Sequence, residues 1–403
     1  MIATVVLTSV LNYSSGKPMV DRSDIIVGAD FSAFWIGGQL LRQGREAELY
    51  DIAAQKSIHA ALIAPARSDD VHPYINPPFF AVALQPLAAL PYRTALSVWW
   101  SLGVATLLVV VWALRRELGP LREHSWASLV FFSLAFYPTL AWFVYGQNSA
   151  FTLLLSCAFV LALRRGYDTC AGLALGLLLF KPQLALGPVL VLVTQRRGRA
   201  LSGVAIGASV WLLIGLLGAP HAMRDYLFVA PQLFSFIGGS GYPVWGLESL
   251  YGFGLLLVGE LDAHLGMWLG YALTAAGALV LVLCWRGAEW SPRSRAWELR
   301  MAGTLALSLV ISPHLYHYDA MLLLLPLALL LANVRSEGAG LLDRGPLLAR
   351  TGMLWVATIV GPHLSHVARS TMHRADLQAV VPQLATCAIV WWAAGLLRSA
   401  RTT

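Results

Sequence analysis

The chain has 403 residues, 58% of them hydrophobic and only 12% charged, with a mean hydropathy of +0.66. Soluble domains carry roughly 45–50% apolar and about 25% charged residues, so a soluble enzyme, a disordered chain and a disulfide scaffold are excluded. The net charge of +7 comes from 28 basic and 21 acidic residues, and only Lys17, Lys56 and Lys181 are lysines. In so apolar a chain, arginines report topology before they report nucleic acid, and no nucleic-acid partner is expected. Cys157, Cys170, Cys284 and Cys387 lie in apolar stretches without a CxxC pair and read as small hydrophobes.

At about 20 apolar residues per crossing, the composition predicts an all-α, polytopic integral membrane protein. The apolar runs are 1–13, 77–90, 94–114, 126–145, 149–164, 169–181, 182–195, 201–218, 247–258, 265–285, 297–311, 316–333, 351–362 and 379–397. Arginine clusters punctuate them: Arg115, Arg116 and Arg122; Arg164 and Arg165; Arg196, Arg197 and Arg199; Arg286, Arg293, Arg295 and Arg300; Arg335, Arg344 and Arg350; Arg398 and Arg401. The positive-inside rule places these in the cytoplasm. The parity of crossings then forbids 77–90 and 247–258 from spanning. The first starts Asn76-Pro77-Pro78 and contains Pro86, which suits a juxtamembrane or re-entrant helix. About twelve crossings follow, with both termini inside, in a single transmembrane domain over 1–403. Residues 1–13 are too short to span alone, which predicts a late start codon or a helix leaning on a neighbour. They carry no cleavable signal-peptide pattern.

The outward parts are then a long loop over 14–76, the turn Tyr145-Gly-Gln-Asn148, the turn around Lys181-Pro182-Gln183, the loop 219–264, the turn Ser312–Asp319 and the loop 363–378. Eight of the 21 acidic residues fall within 21–70, so the first outer loop is expected to be a folded polar element with juxtamembrane helices. Its core motif is Gly28-Ala-Asp30-Phe31-Ser-Ala-Phe34-Trp35. Asp30 opens an amphipathic run, where a carboxylate either caps a helix or does chemistry. Lys181 stands at a proline break between two short apolar runs, a point charge for a phosphate or a side chain snorkelling to head groups. Tyr145, Gln147 and Asn148 offer a phenol and amides to sugar hydroxyls or phosphate oxygens, or form an ordinary turn. His314, Tyr316, His317 and Asp319 crowd the start of an apolar helix. The His-x-x-His spacing there lacks further ligands nearby, so no metal is expected, and hydrogen bonding to phosphate or hydroxyl is the reading. His363, His366 and His373 carry little weight as loop residues.

All these polar clusters fall on the face opposite the arginines. Acidic chains at the membrane centre are absent, which argues against a proton-driven carrier. A one-sided polar site beside lipid suggests a lipid-borne substrate. A flippase or exporter of lipid-linked sugars is the transport alternative, and an oligosaccharide ligase a third. The ligase would favour paired outer arginines at a diphosphate, and the outer arginines, Arg224, Arg369 and Arg374 among them, are scattered.

Five motifs run in one order over 28–335: Asp30-Phe31-Ser-Ala-Phe34-Trp35 with Leu49-Tyr50-Asp51; Tyr74-Ile-Asn76-Pro77-Pro78-Phe79; Tyr145-Gly146-Gln147-Asn148-Ser149; Lys181-Pro182-Gln183; and Ser312-Pro313 with the His/Tyr/Asp cluster. As an ordered set they resemble the family 87 glycosyltransferases, bacterial polyprenol-phosphate-mannose-dependent mannosyltransferases of GT-C type. The resemblance implies transfer of mannose from a polyprenyl phosphate to a hydroxyl on a lipid or glycan acceptor, with inversion, at the outer face of the inner membrane and without a cofactor. By carry-over Asp30 is the base. Lys181, Gln183, Tyr145, Gln147, Asn148, His314, Tyr316, His317 and Asp319 hold the donor's phosphate and sugar. Phe31, Trp35, Tyr74 and Asn76 support the loop and the acceptor. One departure concerns the loop before 250, where the family often has an amide and this chain has Glu248.

Overall fold

The computed structural model describes residues 19–21, 25–68, 71–236, 244–259, 261–334, 349, 351–354, 356–358 and 381–400. The run 1–13 and the histidines at 363, 366 and 373 lie outside them. Among the described residues the protein is helical, with short 3-10 turns and one antiparallel bridge between Val20 and Ile26.

The stretch expected as the first outer loop contains two helices, α1 (Ala29–Arg42) and α2 (Ile52–Ile63). Asp51 starts α2 by accepting from the amides of Ala53 at 2.8 Å and Ala54 at 3.4 Å. The run at 77–90 becomes α3 (Pro78–Ala88). At a rise of about 1.5 Å per residue it reaches roughly half of a ~30 Å hydrocarbon core, in keeping with a segment that does not cross. It wedges between α1 and a later helix: Cβ atoms placed on Gly38 would meet Ala88 at 2.7 Å.

Among the described residues three helices are long and apolar enough to cross a membrane: α4 (Tyr92–Glu117), and, after further elements, α10 (Gly198–Gly218) and α13 (Ala263–Trp285). The run 126–145, expected as one crossing, is two helices, α5 (Trp126–Ala135) and α6 (Tyr137–Tyr145), bent by 64° and together long enough for a fourth span. The break follows from Pro138, which has no amide to donate and sits in the first turn of α6. Shorter apolar helices fill the rest: α7 (Ser149–Arg164), α8 (Asp168–Gly176), α9 (Pro182–Thr194), α12 (Leu250–Val258), α14 (Arg295–Ile311), α15 (Leu324–Val334) and α16 (Val381–Ser399). The loop expected over 219–264 is corrected in part, since 220–236 forms a helix, α11 (Pro220–Phe236). Its Tyr226 lies on Tyr50 with ring centroids 5.6 Å apart and its His221 pairs with Glu46 of the first loop, which fixes it there.

Small residues set the tightest packing. Gly172 and Gly176 of α8 face Gly203 and Gly207 of α10, and a Cβ on any of the four would fall on a backbone carbonyl oxygen of the other helix. This four-residue spacing lets two backbones touch where lipid gives no hydrophobic drive for association. Outward, Leu217, Leu227, Leu261 and Trp268 are exposed, an apolar surface that suits lipid rather than water.

One end of the bundle is sewn together by arginines. Arg165 pairs with Glu117, Arg197 with Asp168, and Arg164 with Glu298, which also accepts from Asn333 at 2.6 Å. Arg293 donates to the Arg164 carbonyl at 3.0 Å and Arg300 to that of Ala400 at 3.3 Å. Arginines from the clusters at 164–165, 196–199 and 286–300 thus share one end. The polar turns gather at the other.

Candidate active site

The start of α1 is pinned by aromatic residues of α4. The Tyr92 hydroxyl donates to the carbonyls of Val27 at 2.7 Å and Gly28 at 3.2 Å, and the Trp99 indole donates to the Gly146 carbonyl at 2.9 Å. Gly28 and Gly146 both hold left-handed backbone, with φ of 72° and 68°, and a Cβ on Gly146 would meet Cβ of Phe31 at 2.7 Å. Glycine is the residue for such positions. These contacts seat the α6–α7 turn on the first turn of α1. Phe31 packs between Tyr92 and Trp99, at 5.6 and 5.5 Å, and the Trp35 indole donates to the Leu90 carbonyl at 3.1 Å. Both residues brace the helix that carries Asp30.

Asp30 does not cap that helix. The residue before it, Gly28, makes no side-chain cap, and the carboxylate turns instead to two side chains. Gln147 Nε2 donates to Oδ2 at 3.0 Å, and His72 Nδ1 lies 2.7 Å from Oδ1. Its side chain is 15% exposed. Burial alone pushes the carboxyl up; the His72 bond and charge, the Gln147 amide and the Lys181 charge outweigh burial and hold it below its ordinary value.

Lys181 sits at the break between the 3-10 turn Leu177–Phe180 and α9. It is buried, and its Nζ donates to Asp319 Oδ1 at 2.6 Å while lying 5.4 Å from the Tyr318 ring centroid. The lysine expected to project outward is therefore a member of an internal ion pair. Ser149 Oγ donates to the same Asp319 oxygen at 2.6 Å. Asp319 Oδ2 and both polar atoms of the Asn148 side chain are buried without a hydrogen-bond partner among the described residues. An orphaned buried polar group costs about 1–3 kcal/mol, so these atoms mark a place for a ligand or water.

Gln147, Asn148 and Ser149 join the two halves, since Gln147 holds Asp30 and Ser149 holds Asp319. His314 feels Asp319, Lys181 and Asp30 together; burial dominates and brings its pKa down to about 4, so the imidazole is neutral near pH 7. The rest of the 312–319 loop forms a ring-lined wall. His314 meets Tyr316 at 5.0 Å, Tyr316 stacks on Tyr318 at 5.7 Å, and His317 lies 5.3 Å from Tyr145 and 6.1 Å from Tyr137. Asp30, Tyr145, Gln147, Asn148, Lys181, His314, Tyr316, His317 and Asp319 thus come together from four stretches of chain, and His72 joins Asp30 from a fifth.

Other expected residues stand apart. Gln183 is half-buried in the first turn of α9. Tyr74 is buried in the first-loop scaffold, its hydroxyl donating to the Pro77 carbonyl at 2.7 Å and its amide to Gln55 Oε1 at 2.7 Å. The Asn76 carbonyl accepts from the Tyr50 hydroxyl at 2.8 Å. Sequence reasoning missed His72 and the role of Ser149. The signal for His72 was its place two residues before Tyr74, in a motif already singled out.

The described residues thus combine helices apolar enough to cross a membrane with a carboxylate held low and a buried lysine–aspartate pair whose charge reaches it. Residues 74–313, more than half of the chain, match the family model of glycosyltransferase family 87, and the chain belongs to that family. Asp30 and His72 precede the matched stretch, and His314 to Asp319 follow it. No curated protein and no solved structure matches the chain.

Proposed function

We propose that this glycosyltransferase moves mannose from a polyprenyl-phosphate donor to a hydroxyl of a lipid or glycan acceptor. The reaction takes place at the outer face of a bacterial inner membrane. The chain crosses about twelve times as one GT-C-type transmembrane domain, with residues 14–76 as the first outer loop. The arginine end faces the cytoplasm. Asp30 takes the proton of the acceptor hydroxyl as its oxygen forms a bond to the anomeric carbon. The bond from that carbon to the phosphate oxygen breaks on the opposite face, and the electron pair leaves with polyprenyl phosphate. A single displacement inverts the anomeric centre.

A carboxylate below its ordinary pKa is a weak base, which suits a late proton transfer in an oxocarbenium-like step. Lys181 Nζ carries three protons, of which Asp319 accepts one; the others are available to the phosphate that gains charge as it leaves. Neutral His314, Tyr145, Tyr316 and His317 supply hydrogen bonds to phosphate and sugar.

The observation that supports this most is the Asp30 carboxylate itself. It is oriented by His72 and Gln147 and lies within reach of the Lys181 charge. The test uses the full chain in nanodiscs with a synthetic C35 polyprenyl-phosphate-mannose and octyl α-mannoside. The wild-type protein is expected to give a disaccharide, and Asp30→Asn, with an unchanged elution profile, none. Movement of donor across the bilayer without a new glycosidic bond favours the flippase reading instead.

A further inference from the structure

Glu248 was a departure from the family pattern, and the structure gives it surroundings that the mechanism above does not use. It is 3% exposed. Its amide donates to the Leu315 carbonyl at 2.8 Å, and the next residue, Ser249, donates from its hydroxyl to the Pro313 carbonyl at 3.2 Å. Ser249 also caps α12 by accepting from the Gly252 amide at 3.0 Å. The segment carrying Glu248 is thereby tied to the 312–319 loop, the wall that bears His314, Tyr316 and His317. The carboxyl couples electrostatically to the Tyr137 phenol, and the Tyr137 ring faces His317. Gly246, two residues earlier, lies so close under Tyr316 that a Cβ there would meet the ring at 2.7 Å.

Within this enclosure Glu248 Oε2 is buried and has no hydrogen-bond partner among the described residues. No cation figures among the influences on the carboxyl; burial alone acts on it and pushes its pKa up to about 8. A buried carboxyl that is neutral near pH 7 presents one O–H donor and a carbonyl acceptor, the complement of an alcohol. A phosphate oxygen takes the O–H but has no proton to give the carbonyl oxygen in return. A sugar hydroxyl gains two directional bonds.

We propose that Glu248 is a specificity-determining residue that reads a hydroxyl of a hexosyl unit bound against the 312–319 wall. This rests on the transferase reading above. The hydroxyl belongs either to the donor's sugar or to the acceptor, and the two sources separate experimentally. A site built to hydrogen-bond a hydroxyl rejects the analogue that lacks it far more strongly than a hydrophobic pocket rejects a changed methylene.

The experiment uses the full chain in nanodiscs as wild type, Glu248→Gln and Glu248→Ala. Binding of C35 polyprenyl-phosphate-mannose, its mono-deoxy analogues and bare C35 polyprenyl phosphate is measured, together with the KM for octyl α-mannoside. If the donor supplies the hydroxyl, Glu248→Ala binds the mannosyl lipid about 10-fold more weakly while bare polyprenyl phosphate is unaffected. One deoxy analogue then loses affinity in the wild type and nothing more in Glu248→Ala. If the acceptor supplies it, donor binding is unchanged and the KM for octyl α-mannoside rises about 10-fold. Glu248→Gln, which keeps a donor and an acceptor, stays near wild type in both arms. Glu248→Ala with wild-type binding and KM throughout, or a deoxy series that falls equally in both proteins, overturns the assignment and leaves the transferase reading intact. A wild-type protein that binds neither lipid overturns both.

Discussion

The two ends of the bundle handle charge differently. At the arginine end, Arg165 and Arg197 meet carboxylates with side chains 46% and 31% exposed, so water shares the work of solvating them. Some guanidinium nitrogens of Arg164 and Arg197 make no hydrogen bond among the described residues, but both heads are ion-paired. At the other end the Lys181–Asp319 pair is buried almost completely, at 7% and 0%, and Asp319 Oδ2 and the Asn148 amide lack partners among the described residues. What the first end leaves without a bond is mostly single nitrogens of arginines that are already ion-paired. The second leaves a carboxylate oxygen and a whole side-chain amide without a partner among the described residues, beside a pair closed off from water.

If that contrast is functional, Asp30→Asn removes the base and costs about 10²–10⁴ in kcat, with thermal unfolding little changed, as read by product formation and a melting curve. The buried pair comes next. Lys181→Met alone leaves Asp319 uncompensated and should destabilise by about 3–5 kcal/mol. Pairing it with Asp319→Leu should recover part of that loss, since the two sites are coupled. Equal melting temperatures for the single and double variants would mean the pair does not behave as a buried one. Away from both ends, Gly203→Ala places a Cβ against the Thr169 carbonyl and should cost about 1–3 kcal/mol by parting α8 and α10.

Smaller effects sharpen the comparison. Asp30 is held low, so its ionised form persists as pH falls and the rate should decline only below the ordinary carboxylate range of about 4. The sign for stability agrees: a depressed carboxyl contributes above its unfolded pKa and loses that contribution as pH drops through the folded one. His72→Ala removes the largest lowering influence while burial remains, so the acid limb of the pH–rate profile should move to higher pH. A profile that stays in place would show that His72 does not tune the base. The smallest effect is expected at Arg165→Ala, about 0.2–1 kcal/mol by thermal melting, because an exposed pair holds little net energy.

Much of this was legible beforehand because hydropathy is local. Each apolar run from 77 to 333 contains or meets a helix, and arginines of the clusters at 164–165, 196–199 and 286–300 converge at one end. Asp30, Lys181, the 145–149 turn and the 312–319 cluster stood out because polar groups are conspicuous in so apolar a chain. The rest depended on distance along the chain. The Lys181–Asp319 bond joins residues 138 apart, and the His72–Asp30 contact joins residues 42 apart. A histidine in a polar loop gives no local sign of its partner. The helix at 220–236 was hidden because His221, Arg224 and Asp225 interrupt its apolar residues and prolines stand at 220 and 231. The break at Phe136 was signalled by Pro138 but overridden by the continuous hydropathy of the run.

The most direct measurement is a structure of the full chain in nanodiscs with C35 polyprenyl phosphate bound. The account predicts density for the phosphate within hydrogen-bond reach of Lys181 Nζ and the Asn148 side chain, with the Asp30 carboxylate facing the same space. Phosphate density among Arg164, Arg197 and Arg293, or a wall of packed side chains between Asp30 and the bound phosphate, would contradict it.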